Sequence, residues 1–424
     1  MKLNKYSGRI SRRDFLKLAG SGLLATGGIG VASKLASGFL SAERIALADE
    51  APPDKIFAGT DGWMYLPDLP TPSPYHPDDL SPDPMFTTYI FGFRDLTGMG
   101  EAQMLNQKMK AQHSAPMFWM REGEQFRLEL RNLGLQMRPD LTDAHTVHFH
   151  GFKNAIPFFD GEPSSSVSVP MNRAFTYIYR PHDPGTYMFH CHVEDVEHVH
   201  MGMTGLVFVR PALGDNYVFN DASTAFDREF GMLLSEMWVD SHWADSHIQL
   251  PEWSDYKPDF SMINGRVYPD TIAPNGQGFD PDTGDLITPV GHPNLQYQPI
   301  SSLVNCNAGD KVLLRFANLG FMQASMTLEG IEMRVVGKDA TQLKNGATDL
   351  SYLTNTITIG AGESYDAIFT APAHSGVGAY DTYLLYNRNF SRSHSTGAFG
   401  VGKQMTEIRV HPAGTLPAQT APNT

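Results

Sequence analysis

Two short motifs constrain the fold of this 424-residue chain more than any other feature: His145-Thr-Val-His148-Phe-His150-Gly151 and, about forty residues later, His190-Cys191-His192. Successive side chains of a β-strand point to opposite faces. On a strand, His148 and His150 therefore share one face, and His145, three residues from His148, lies on the other. The same parity divides the second motif, with His190 and His192 on one side and Cys191 between them on the other. Strand geometry thus sorts the donors into two groups. Cys191 belongs with His145, and His148, His150, His190 and His192 make a separate cluster.

One thiolate, two imidazoles and a weak axial thioether make a blue copper centre, and soft sulfur with imidazole selects copper. Cys191 and His145 are two of these donors. The stretch Val-Glu-Asp-Val-Glu-His198-Val-His200-Met201-Gly-Met203 offers His198 and His200 as rival second imidazoles and Met201 and Met203 as rival thioethers. On the opposite face, imidazoles two residues apart sit about 7 Å from each other along a strand, which suits one bridging copper or two neighbouring ones. His190 and His192 are bonded through the backbone to Cys191. An electron arriving at the thiolate site has a short covalent route to whatever those histidines hold.

The order His-x2-His-x-His-Gly, then Asp160-Gly161, then Gly185-Thr-Tyr-Met-Phe-His-Cys-His resembles multicopper oxidases, specifically their two-domain, laccase-like members. The His-x4-Met interval from His198 to Met203 resembles the ligand loop of small two-domain laccases, which makes the implied blue copper ligands His145, Cys191, His198 and Met203. The interval from Cys191 to His198 is two residues longer than in those laccases, and His200 stays a competitor. The resemblance also implies cupredoxin-like domains, and a role for Asp160 as proton donor near an oxygen-reducing cluster. The bland role of Asp160 is the Asp-Gly turn itself.

The chain reads as all-β, as two Greek-key sandwiches. Short strands are expected at Met117–Met120, Phe126–Asn132, His145–Gly151, Ser166–Val169, Phe175–Arg180, Tyr187–His192 and Gly205–Val209, separated by Gly, Pro, Asn and Asp, with no convincing helices. Residues 49–114, rich in Pro, Asp and aromatics, read as an irregular N-terminal extension with one strand, Phe86–Arg94. Residues 115–215 read as the copper-binding domain, 225–412 as a second domain with a long insertion, Trp238–Pro299, and 413–424 as a disordered tail.

The second domain echoes the first. Placing Gly330 against Gly151 and Thr382 against Thr186 sets Ala324, Thr327 and Glu329 where His145, His148 and His150 stand, and Tyr386, Asn387 and Arg388 where His190, Cys191 and His192 stand. Every copper motif is absent there. Multicopper oxidases hold their three-copper cluster with eight histidines, and two-domain members close it between subunits of a trimer. This chain offers four of the eight. A homotrimer would place a neighbour's second domain over the histidine face, with His242, His247, His374 or His394 as candidate contributors.

Ser11-Arg12-Arg13-Asp14-Phe15-Leu16-Lys17, an apolar glycine-rich run from Leu18 to Ala32 and Ala46-Leu47-Ala48 read as a twin-arginine export signal over residues 1–48. The run is shorter than the roughly 20 apolar residues of a spanning helix. No stable membrane insertion is expected, and the location is periplasmic or extracellular. Those 48 residues carry eight Lys or Arg against two Asp or Glu, so without them the formal charge moves from −14 to −20. Such acidity argues against nucleic acid as a partner and favours cationic donors. Glu194, Asp195 and Glu197 are candidates to dock one. With only two cysteines, a disulfide would consume Cys191, and Cys306 reads as a buried strand residue. Met117, Met120, Met188, Met232 and Met262 read as core filler.

The function read from the sequence is one-electron oxidation of a small-molecule, metal-ion or protein donor at a blue copper, with dioxygen as acceptor at the histidine cluster. A nitrite-reductase-like copper enzyme and a non-catalytic blue copper carrier or copper-binding protein are the alternatives.

Overall fold

The computed structural model describes residues 51–67, 73–389 and 404–424. The export-signal reading of residues 1–48 and the candidate His394 lie outside the described residues. In the first sandwich, β1 (Lys55–Met64), β2 (Thr88–Asp95), β4 (Phe126–Gly134) and β6 (Ala174–Tyr179) form one sheet in the order β2-β1-β4-β6. Opposite it, β3 (Phe118–Arg121), β5 (His148–His150), β7 (Gly185–His190) and β8 (Thr204–Arg210) form a second, ordered β3-β8-β7-β5. Alternation decides the inward faces: Leu128 and Leu130 of β4 and Tyr177 and Tyr179 of β6 are buried. Phe57 bridges the layers, stacked on Phe189 at 5.8 Å and edge-on to Phe118 at 5.5 Å.

Residues 49–114 are not an irregular extension. The strand expected at Phe86–Arg94 is present as β2, but the segment also supplies β1, so together they form half of the first sheet, and β1 runs parallel to β4 with Phe57 opposite Leu130. Gly59 and Gly62 inside β1, together with the Pro- and Asp-rich run that follows, hide a strand that is nonetheless buried along most of its length. The first sandwich therefore begins near Lys55 and not at 115.

The second sandwich is built from β9 (Arg228–Met237), β10 (Phe260–Ile263), β11 (Val304–Asn307), β12 (Lys311–Asn318), β13 (Ala324–Leu328), β14 (Met333–Lys338), the two-residue β15 (Thr341–Gln342), β16 (Lys344–Asn345) and β17 (Thr348–Asp349), β18 (Tyr352–Thr354), β19 (Thr356–Ile359), β20 (Ser364–Thr370), β21 (Asp381–Asn387) and β22 (Met405–His411). Its main layers run β10-β9-β12-β20-β14-β15 and β11-β22-β21-β13-β19. Cys306 is fully buried in β11, and Met120, Met188, Met232 and Met262 are buried core residues.

Register confirms the internal repeat. In the first domain His148 pairs with His190, and in the second Thr327 pairs with Tyr386, as the sequence alignment requires. The ligand positions of the second domain are thus structurally equivalent and chemically empty.

Four expectations fail. Helices do occur: α1 (Glu101–Leu105), α2 (Asp195–Met201) inside the loop after Cys191, and α3 (Val239–Ser246) in the insertion. The strand expected over His145–Gly151 shrinks to β5, and His145 with Val169 forms only an isolated bridge, which is all that remains of a strand at 166–169. Finally, the tail 413–424 is docked. Asn423 is buried, its Oδ1 accepts from Gly231 N at 2.7 Å, and its Nδ2 donates to Gly231 O at 3.0 Å and Ser301 O at 2.9 Å. One amide side chain thereby satisfies backbone groups of β9 that β10, pairing only from Leu234 onward, does not reach.

Candidate metal centre

Cys191 directly follows β7, and its N–H donates to Met203 O at 3.1 Å, which closes the loop carrying α2. The thiol is fully buried. His198 Nδ1 lies 3.3 Å from Cys191 Sγ and His145 Nδ1 lies 3.9 Å from it, while the Thr146 N–H donates to the sulfur at 3.5 Å. A single ion bonded at about 2.0–2.3 Å to each donor produces separations of this size, so the residues present fit a copper held by two imidazoles and a thiolate. Burial by itself would raise the Cys191 thiol, but the His198 and His145 imidazoles outweigh it and hold the thiol well below its ordinary value. Burial likewise opposes charge on His198, and Cys191 and Asp143 overcome it, pushing that imidazole up to about 10.

Helix geometry decides between the two rival histidines. At 3.6 residues per turn, side chains two apart on a helix point about 200° from each other, so α2 sends His198 toward Cys191 and His200 the opposite way. His200 Nε2 accepts from Trp238 N at 3.2 Å, and its ring lies 5.1 Å from that of His242. Burial holds both His200 and His242 below the ordinary imidazole value, His242 at about 3.

Met203 is buried on the same side as His145. A Cβ placed on Gly59 of β1 would lie 2.6 Å from His145 Cδ2 and 3.3 Å from Met203 Cε, so the glycine is the space these two side chains occupy. The back wall of the site is thus a strand from the segment that looked like an extension.

On the opposite face, His148, His150 and His190 bring ring nitrogens within 4.8 Å of one another. His192 joins them, with its ring centroid 4.9 Å from His148 and 5.4 Å from His190. Two tautomers are set by carbonyls, which only accept. His148 Nδ1–H donates to Asp160 O and His190 Nδ1–H to Cys191 O, each at 2.8 Å, leaving both Nε2 lone pairs free for metal. Burial, helped by the neighbouring histidines, holds His190 down at about 3, and it is neutral and ready to ligate.

Asp160 stands where the turn meets β5, and its carboxylate lies 3.5 Å from His148 Nδ1. Gly161 follows at φ +79°, and a Cβ there would lie 2.3 Å from Val147 O, so the turn clamps the Asp160 carbonyl onto His148. His150 is exposed and opens onto a cleft of about 350 Å³ lined also by Lys153, Asp339, Gly362 and Ser364. Loops of the same chain's second domain form that wall without supplying a histidine.

The other candidates are engaged elsewhere. His242 Nδ1–H donates to Tyr89 O at 2.6 Å, His247 pairs with Asp79 at 3.0 Å, and His374 Nδ1 accepts from Gly376 N at 3.0 Å. Of the three acids proposed to dock a cation, Glu194 and Asp195 are exposed, whereas Glu197 is turned inward near Arg138, which ion-pairs with the buried Asp245. Sequence reasoning missed Gly59 and Asp143. Asp143 lies in a loop, outside the reach of strand parity, so no local pattern pointed to it.

Sequence models described as multicopper oxidase match residues 93–212 and 232–405. Curated relatives include copper-containing nitrite reductases of Neisseria meningitidis and Neisseria gonorrhoeae, each 26% identical over 155 residues. Those matches span 36% of this chain and little more than a third of the relatives' own length. Among solved structures, the blue copper oxidase from Nitrosomonas europaea is similar with TM-score 0.56 at 18% identity, covering 84% of this chain and 85% of that one. The copper nitrite reductase from Nitrosomonas europaea has TM-score 0.53 at 15% identity, covering 87% and 97%. At these identities the likeness is one of fold.

Proposed function

This chain belongs to the multicopper oxidase family, and from that premise we propose that it is a copper-dependent oxidoreductase that oxidises a donor one electron at a time and delivers the electrons to dioxygen. Bound copper would supply the redox chemistry at both donor sets. The observation that carries the reading is the tripeptide His190-Cys191-His192, which places the thiolate of one set and two imidazoles of the other on consecutive residues. The protein's own part is positional. Carbonyls of Asp160 and Cys191 hold His148 and His190 in the ligating tautomer, Gly59 leaves room for His145 and Met203, and the Asp160 side chain beside His148 is the group that would take up a proton and pass it on there.

Assembly as a homotrimer is part of the proposal, since the exposed side of His150 and the ligand-free second domain call for closure by another copy. Export by the twin-arginine route to the periplasm or beyond is proposed from residues 1–48. Among the described residues, no helix is long and apolar enough to cross a membrane. The donor is a small molecule, a metal ion or a protein that reaches the His198 side. A nitrite-reductase-like reading has one observation in its favour, the absence of ligands at Thr327 and Tyr386, which leaves first-domain histidines to hold a single second copper.

Counting copper per chain, together with oxygen uptake, tests the proposal. More than two coppers with oxygen uptake is the expected result. Two coppers with nitrite reduction would replace it with the second reading, and one copper with neither activity would leave a carrier. A narrower expectation concerns α2: His198→Ala bleaches the protein and His200→Ala does not, because only His198 faces Cys191. Absorption spectra of the two copper-loaded variants check it.

A further inference from the structure

The acid beside His198 carries an inference that rests on the copper reading above. His198 has no exposed surface and its Nδ1 is turned toward Cys191 Sγ. Its remaining nitrogen, Nε2, meets Asp143 Oδ2 at 3.4 Å. A carboxylate only accepts, so Nε2 carries the hydrogen and the Nδ1 lone pair is committed to the metal position.

Asp143 is held there independently of any metal. Its main-chain carbonyl accepts from Asn132 Nδ2 at 2.8 Å, and the same amide donates to Val169 O at 2.9 Å, while Asn132 Oδ1 accepts from Gly134 N at 2.9 Å. Asn132 is buried at the end of β4 and pins the loop to the sheet. The Asp143 side chain is only 14% exposed, so its charge is weakly screened. Glu194 brings a carboxylate within 4.8 Å of the same ring but stands in solvent.

We propose that Asp143 is a positioning residue that sets both the copper affinity and the reduction potential of the Cys191 site. It acts through His198 by fixing the tautomer and by placing a shielded negative charge on the ligand's N–H. A fixed anion stabilises the more positive, oxidised ion more than the reduced one. Removing the charge therefore weakens cupric binding more than cuprous binding and makes the site easier to reduce.

The test compares Asp143→Asn, Asp143→Glu and Glu194→Gln in the copper-loaded full-length protein. The readouts are the visible band, the midpoint potential by redox titration and the cupric affinity by competition with a chelator. Partners of this kind are worth about 10- to 100-fold in metal affinity, and a tenfold loss confined to the oxidised state raises the midpoint by about 59 mV. Asp143→Asn should show both changes, Asp143→Glu should restore the wild-type values, and Glu194→Gln should move them far less. An Asp143→Asn protein that keeps its visible band with unchanged potential and affinity overturns the assignment, as does a Glu194→Gln shift of equal size. A wild-type protein without the band would overturn the copper reading itself, a different result from either.

Discussion

Cys191→Ser abolishes the intense visible absorption expected of the copper-loaded protein and removes one copper per chain, while the copper held by His148, His150, His190 and His192 stays. The thiol is the one soft anionic donor in the buried set and is already driven toward thiolate by His198 and His145. A serine hydroxyl is a hard, protonated oxygen at neutral pH and a poor ligand for a site selected by sulfur. The fold should survive, because the hydroxyl is smaller than the thiol and fits within the buried space the thiol occupies. Metal analysis with absorption and circular dichroism checks all three parts. Unchanged colour would sink the ligand set, and loss of every copper would mean that the two faces are not independent.

The second large effect is on stability. Arg315→Met costs about 3–5 kcal/mol, the usual result of stripping one partner from a buried ion pair. Arg315 is fully buried where the two sandwiches meet. Its Nε donates to Glu229 Oε2 at 3.0 Å, and its Nη1 donates to Asp366 Oδ1 at 3.2 Å and to Thr186 Oγ1 at 3.1 Å, with the guanidinium 4.2 Å over the Phe208 ring. Methionine keeps much of the contact with Phe208 and none of the charge. Glu229 retains Arg210, but Asp366 is left with only the Thr186 side chain and backbone.

Burial already raises Asp366 above the usual carboxylate value of 3.8, against the pull of Arg315. A carboxyl raised in the folded state favours folding most at low pH and loses that contribution as pH rises through its folded value. Without Arg315 the rise is larger, so the gap between variant and wild type narrows as the pH is lowered. Thermal unfolding of both proteins at several pH values measures it. A gap below about 1 kcal/mol, or one that widens in acid, is incompatible with a buried unpaired carboxylate.

The two-site logic was legible in the sequence because strand parity is a local property. Residues 148 and 150, or 190 and 192, share a face of any strand whatever surrounds it, and 145 and 191 take the other. The empty second domain was legible for the same reason, as the Thr327–Tyr386 register bears out. What misled were segments whose state is decided by distant packing. β1 contains Gly59 and Gly62, which weaken its strand signal, yet Leu128 and Leu130 of β4 pair with it. The tail looked disordered, yet the buried Asn423, together with Gln419 and the Leu416 and Pro417 backbone, docks it on β9 and on Asn307. α2 is seven residues long, just under two turns and too short to show a clear helical periodicity, and begins from Glu194 at φ +45°.

The sequence alone determined which donors exist and how they divide between two faces, because residue identity and alternation along a strand need no knowledge of the rest of the chain. Tertiary structure alone decided which histidine completes the thiolate set and what surrounds it. The nearly two turns of α2 after Cys191 replace strand alternation with a rotation of about 100° per residue, so His198 turns in and His200 turns away. Gly59 and Asp143 then reach the same point from 132 and 48 positions earlier in the chain than Cys191, through contacts that no local pattern encodes.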